Sequence, residues 1–265
     1  MSRIEVDDRV LTYEVRGAAH TAAETLLLLH GLGSSGADWE PQIAAFEKTY
    51  AVIAVDLAGH GGSPAPRRLP TVEAMAADVE TVLDALDVRA IHVIGLSIGG
   101  CIALALALRA PARVRSLVLV NAFARLRPAG PRAAARMLTR VGLLLCAPMS
   151  TLGSYVARNV FPRPDQADLR AAAAARLAAN GRRAYLAAVS ALVRFDVRRR
   201  LGEIHCPTLV VAGEHDTTIP LSAKQGLARG IPGARLVVVP DSGHVTNLDQ
   251  AAEFNRIVEA FLTDR

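Results

Sequence analysis

The segment Gly95-Leu96-Ser97-Ile98-Gly99 sets a hydroxyl between two glycines, directly after an apolar run and directly before a helical one. A GxSxG motif requires that context. At a strand-to-helix turn the backbone around the serine is cramped, a side chain at either glycine would collide with neighbouring chain, and the hydroxyl is held out at the sheet edge. A serine hydroxyl is a weak nucleophile at neutral pH, so it needs a base within hydrogen-bond reach and a third group to orient that base. Two later segments supply them. Gly213-Glu214-His215-Asp216 follows the apolar run 207–212, and Pro240-Asp241-Ser242-Gly243-His244 follows the run 234–239. The expected roles are Ser97 as nucleophile, His244 as base and Asp216 as the acid behind it. Glu214 and Asp241 are neighbouring alternatives, better read as solvated or turn-forming.

Positioning these groups falls to short runs rich in β-branched residues and leucine that alternate with helical patterns, as in a parallel sheet covered by helices. After a hairpin-like opening at 4–6 and 11–15, the runs are 25–29, 51–55, 90–94, 115–120, 207–212 and 234–239. Between them, Val72, Met75, Val79, Val82, Leu83 and Leu86 fall at three- and four-residue steps, the stripe of a helix packed on a sheet. Near the end of the chain, Asn247 with Gln250 resembles a capping box before Phe254, Ile257, Val258 and Phe261. Serine, acid and histidine each follow a strand C-terminus, so all three are expected at one sheet edge.

With these motifs the chain resembles the α/β-hydrolase superfamily over essentially its whole length. His30-Gly31-Leu32-Gly33, Asp56-Leu57-Ala58-Gly59-His60-Gly61-Gly62-Ser63 and Gly213-Glu214-His215-Asp216 are most similar to bacterial esterases, enol-lactone hydrolases and carbon–carbon-bond hydrolases, with the 3-oxoadipate enol-lactonases as the nearest named group. The resemblance implies an α/β fold, a mostly parallel twisted sheet flanked by helices with an inserted helical cap, and the chain order Ser97, Asp216, His244. It also implies that the backbone N–H groups of Leu32 and Ile98 form the oxyanion hole, each donor worth about 10²–10³ in rate. His30, Asp56, His60 and Ser63 are then bracing residues. Some relatives carry the acid after the strand preceding the cap, but here that strand ends in Asn121, an amide without the charge to stabilise an imidazolium.

The alternation breaks over 125–200, where no strand is evident and alanine, leucine and arginine dominate. Core residues are therefore expected at 1–124 and 201–265, with the helical cap between, broken near 128–131 and 161–164 by prolines. The cap has fifteen arginines against three aspartates, a net +12, in a chain whose total is +5, leaving −7 for the remainder. Such a layer would concentrate anionic substrates, although arginines that merely solvate alanine-rich helices are the stronger reading. Phe123, Met137, Phe161 and Phe195 are candidate pocket residues, although core packing explains them equally well. Trp39 fits a pocket mouth or a helix anchor.

Composition narrows the class. Hydrophobic residues make up 51% of 265 and charged residues 21%, enough for a large core. Only 4% are aromatic, which leaves a nucleic-acid binder little to stack on despite a pI near 9.5. Cys101, Cys146 and Cys206 have no metal or disulfide spacing, and His205 beside Cys206 is too little for zinc. Met1 to Asp8 is acidic rather than signal-like, and the apolar stretch 98–108 is shorter than the ~20 residues of a membrane span. A cytoplasmic, soluble enzyme is expected, needing no cofactor or metal and acting on a small-molecule ester or lactone, possibly an anionic one, without nucleic-acid or membrane partners. Two other readings stay open: the same triad used on a carbon–carbon bond or for acyl or peracid transfer, and a ligand receptor of this fold with little turnover.

Overall fold

The computed structural model describes residues 2–6, 9–17, 24–66, 69–128 and 130–264. Met1, Asp7 and Asp8 of the N-terminal stretch, and residue 129 in the first proline-flanked break, lie outside them. Strands β1 (Ser2–Val6), β2 (Arg9–Gly17), β3 (Thr25–Leu29), β4 (Ala51–Asp56), β5 (Ile91–Leu96), β6 (Val114–Val120), β7 (Thr208–Gly213) and β8 (Arg235–Val239) join in the order β1-β2-β4-β3-β5-β6-β7-β8. The β1–β2 and β2–β4 pairs are antiparallel and the others parallel. Each run expected from the sequence forms a strand, with ends displaced by a few residues at most.

The helices are α1 (Glu40–Phe46), α2 (Val72–Ala85), α3 (Ile98–Arg109), α4 (Pro131–Cys146), α5 (Met149–Val160), α6 (Ala167–Ala179), α7 (Arg182–Arg194), α8 (Leu221–Gly230), α9 (Thr246–Asp249) and α10 (Ala251–Thr263). Side chains alternate across the sheet. Leu27 and Leu29 join one apolar layer with α2, α3 and α8, while Leu26 and Leu28 join the other with Ile43 of α1 and Phe254 and Val258 of α10. Both faces of the central strands are thus covered, which is why they read as continuous apolar runs rather than alternating ones. α3 is buried along almost its entire length, matching its lack of a polar face.

The chain turns back on itself around β3, which pairs with β4 on one side and β5 on the other. Loops leaving neighbouring strands there diverge, opening a crevice at the strand C-termini. Opposite the crevice mouth, the segment between β6 and β7 contributes α4 to α7, with no strand among its described residues beyond the single bridge of Arg125 to Asp196. Leu144, Leu152, Leu177 and Tyr185 give this helical segment a small core of its own. At the C-terminus the expected capping box does not form. Asn247 Nδ2 donates instead to the Asp38 carbonyl at 3.1 Å and the Gln250 amide reaches the Asp241 carbonyl, so both side chains serve tertiary contacts rather than the helix end.

Asn121, fully buried just past β6 at φ 45°, ties three segments together. Its Oδ1 accepts the Gly213 N–H at 2.9 Å, and its Nδ2 donates to the His244 carbonyl at 2.8 Å and to Thr246 Oγ1 at 2.9 Å. Truncation would strand several buried polar groups at once. Asn121→Ala should therefore lower the unfolding free energy by about 2–4 kcal/mol, read as a fall in urea midpoint at unchanged m-value. A midpoint equal to the parent's would mean that water replaces the amide.

Candidate active site

Gly95 and Gly99 meet the requirement read from the sequence. A Cβ on Gly95 would lie 2.4 Å from the Gly99 carbonyl oxygen, and one on Gly99 would lie 2.1 Å from that of Leu29. β5 and α3 can approach this closely only without side chains at those positions. Ser97 between them sits at φ 54° and ψ −111°, a strained conformation for a residue with a side chain. The turn brings its hydroxyl to the cavity wall. Its backbone is pinned by its N–H to the Val120 carbonyl at 2.9 Å and by the Cys101 N–H to its own carbonyl at 3.0 Å.

At the ends of β7 and β8, the Asp216 Oδ2 accepts from His244 Nδ1 at 2.9 Å. Two backbone amides, Thr218 at 2.8 Å and Ile219 at 3.1 Å, donate to Oδ1. A lysine that the sequence reading passed over completes the set: Lys224 of α8, fully buried, donates from Nζ to Oδ2 at 2.7 Å. Burial pushes the Asp216 carboxyl up, but His244 and Lys224 together outweigh it and hold the group down at about 2. Asp216 is thus a carboxylate at neutral pH, which fixes the His244 tautomer with its proton on Nδ1 and leaves Nε2 free to accept one. His244 and Ser97 line the same cavity, with no hydrogen bond between them among the described residues. Glu214 and Asp241 are exposed and belong to a surface turn in which the Asp241 N–H donates to Glu214.

Beside the elbow, the loop 30–33 leaves β3. His30 is buried and accepts the Leu57 N–H at Nε2, 3.0 Å away, so its Nδ1–H donates to the Gly31 carbonyl at 2.8 Å. Burial, with His60 nearby, takes this imidazole down to about 3, so it is a neutral brace. Asp56 accepts from Gly36 and Gly62, and Ser63 bridges the Asp56 carbonyl to the Thr12 N–H. This network holds the loop while the Leu32 and Ile98 N–H groups donate to no protein acceptor among the described residues. An unengaged amide at a helix N-terminus, with a second one on the loop beside it, suits a developing negative charge.

The cavity encloses about 230 Å³. Phe123, Met137 and Phe161 line it. Phe195 does not, because it is buried in the apolar layer that also holds α2 and α3, and Trp39 is an anchor, fully buried against Phe254. Most arginines of the segment between β6 and β7 have structural work. Arg182 binds the carbonyls of Leu144 and Ala147 at the α4 C-terminus, Arg170 does the same beyond α5, and Arg176 pairs with Asp38. Arg127, Arg136 and Arg140 also reach the cavity, and none has a carboxylate partner among the described residues. Arg140 lies over the Tyr185 ring and donates to its hydroxyl, and Arg136 donates to the Thr217 carbonyl at 2.9 Å, next to Asp216. Cys101 is a buried hydrophobe whose thiol burial pushes up, and His92 packs within β5 against Ser116 and Glu24.

Known proteins resemble this chain over almost its whole length. A candidate carbamate hydrolase of Variovorax paradoxus, named RutD, is 39% identical over 95% of this chain and 96% of its own length. Its namesake in Pseudomonas syringae is 35% identical over 95% and 98%. Among solved structures, the enol-lactonase of Burkholderia xenovorans superposes with a TM-score of 0.91 at 29% identity, covering 99% of this chain and all of that one. The sequence profile of the α/β hydrolase fold matches residues 24–251. Agreement of that extent, on a sheet with this strand order and this elbow, shows that the chain belongs to the α/β hydrolase family.

Proposed function

We propose that the chain is a cofactor-independent serine hydrolase that cleaves a carboxylic ester or lactone through an acyl-enzyme. The observation that carries this is the 2.9 Å contact between His244 Nδ1 and a buried, ionised Asp216, on the same cavity rim as a strained serine. His244 Nε2 takes the Ser97 proton as Oγ bonds to the acyl carbon, and the carbonyl electron pair moves to oxygen opposite the Leu32 and Ile98 amides. The tetrahedral adduct then collapses, and the imidazolium returns the proton to the leaving alkoxide. Water repeats the sequence at the acyl carbon and frees the acid and Ser97. The segment 125–200 acts as the cap over this site, between core segments 1–124 and 201–265.

A second reading is hydrolysis of a carbamate, favoured by the names of the relatives at 32–39% identity. A carbamate presents the same trigonal acyl carbon to Ser97, with nitrogen as a neighbour. Either way the substrate is small, since the cavity lies below the roughly 300–1,000 Å³ of drug-sized sites. Arg127, Arg136 and Arg140, which line the cavity without a carboxylate partner among the described residues, support an anionic one. The three cysteines are free, which accords with a cytoplasmic setting.

A panel of p-nitrophenyl esters, lactones and carbamates tests the reading. Ser97→Ala and His244→Ala should each abolish turnover, by up to about 10⁶-fold, and activity near the parent's in either would refute the triad. Acetyl or butyryl esters should outpace the lauroyl ester by about tenfold or more; the reverse order would mean that the insertion opens a larger site. The pH profile gives a further check. Because Asp216 stays charged until pH nears 2, only the imidazole loses competence as pH falls, so log kcat/KM should drop with a slope of one. A slope of two would show the carboxylate protonating alongside it.

A further inference from the structure

A buried lysine on the acid of a Ser-His-Asp arrangement is an unusual expense. Lys224 is one of two lysines in a chain otherwise using arginine, and its side chain is 1% exposed. Desolvation draws its ammonium below the ordinary lysine range while Asp216 pulls it back. Both Nζ of Lys224 and Nδ1 of His244 engage the same carboxylate oxygen, at 2.7 and 2.9 Å, and the two backbone amides occupy the other. The carboxylate therefore accepts four hydrogen bonds, and none of its lone pairs is left to rotate toward.

We propose that Lys224 is a positioning residue, which clamps Asp216 in the plane of the His244 ring and tempers the basicity of that ring, keeping the base unprotonated at lower pH. The reasoning is electrostatic. A lone buried carboxylate would stabilise an imidazolium with its full charge, whereas an Asp216–Lys224 pair is neutral and sets a second cation across one oxygen from the ring. Other charged groups reach this corner from each packed element, and among the described residues none of them touches Lys224. Asp249 of α9 accepts from the Gly243 N–H and Ser242 hydroxyl, Arg163 before α6 donates to the Asp241 carbonyl, and Arg136 of α4 donates to that of Thr217. Glu214, His215 and Asp241 form the exposed turn outside.

The inference rests on Ser97, Asp216 and His244 acting as a triad, and its test keeps the two apart. The pH dependence of kcat/KM for p-nitrophenyl acetate is measured in the parent, Lys224→Met, Lys224→Gln and Lys224→Arg, together with an NMR titration of the His244 ring that needs no turnover. In the Met and Gln variants, the acidic limb and the ring titration should both move to higher pH by about one unit, and Arg, which keeps the charge, should restore the parent's position. Limbs that stay in place in neutral variants with parental circular dichroism overturn the proposal, as does an Arg variant that behaves like Met. If both neutral variants fail to fold, the ammonium serves stability alone and the positioning role is rejected. A parent whose turnover is unaffected by Ser97→Ala sinks the triad instead, and the ring titration still reports on Lys224.

Discussion

Steric contact at the elbow governs much of the molecule. β5 can hand the chain to α3 at the required angle only because Gly99 lies against the Leu29 carbonyl and Gly95 against Gly99, with no room for a methyl group at either. That approach places α3 in the middle of the fold, sets β3 beside β5 and so brings the loop 30–33 next to Ser97. The strain at Ser97, of order 1–3 kcal/mol for such a conformation, is tolerated because the surrounding apolar layers over-determine the turn. His30, Asp56 and Ser63 extend the same rigidity outward through hydrogen bonds to backbone, which leaves the Leu32 and Ile98 amides disengaged from the protein itself.

Electrostatics at the other side of the crevice follow from burial. An ionised carboxylate inside the protein is costly unless it is paired and fully hydrogen-bonded, and Asp216 meets both conditions with one imidazole, one ammonium and two amides. The helical segment between β6 and β7 handles charge differently. Among its arginines, Arg170 and Arg182 cover carbonyls at helix ends while Arg125, Arg163, Arg176, Arg198 and Arg200 pair with carboxylates, so a net +12 in the sequence translates into a smaller number of guanidinium groups free to meet a ligand.

The strands and the chemical motifs were legible because both are local signals. Apolar runs bounded by turn residues mark the sheet, and a serine flanked by glycines between strand and helix marks the elbow. What escaped depends on distant docking. Lys224 reaches Asp216 only once α8 packs under the sheet, and its one advance sign was being a lysine in an arginine-rich chain. Asn121 could be read as unfit to be the acid, but not as the tie between β7 and the 243–246 loop. Asn247 and Gln250 have the spacing of a cap, yet partners over two hundred residues away in the case of Asn247 outcompete the local bond. Phe195 and Trp39 show the same limit, since an aromatic side chain fits a pocket and a core equally well until the layers are assembled.

Gly213 closes β7 where a Cβ would stand 1.9 Å from the Gly243 carbonyl oxygen. Main chain rests directly on main chain there, and the Glu214 N–H to Val239 and His215 N–H to Ser242 bonds stitch the same seam. The segments bearing Asp216 and His244 are thereby welded into one block that cannot flex internally without breaking backbone contacts. Any adjustment that brings imidazole and serine within bonding distance accordingly falls to the Ser97 side-chain torsion or to the joint between that block and the elbow, rather than to the contact between Asp216 and His244.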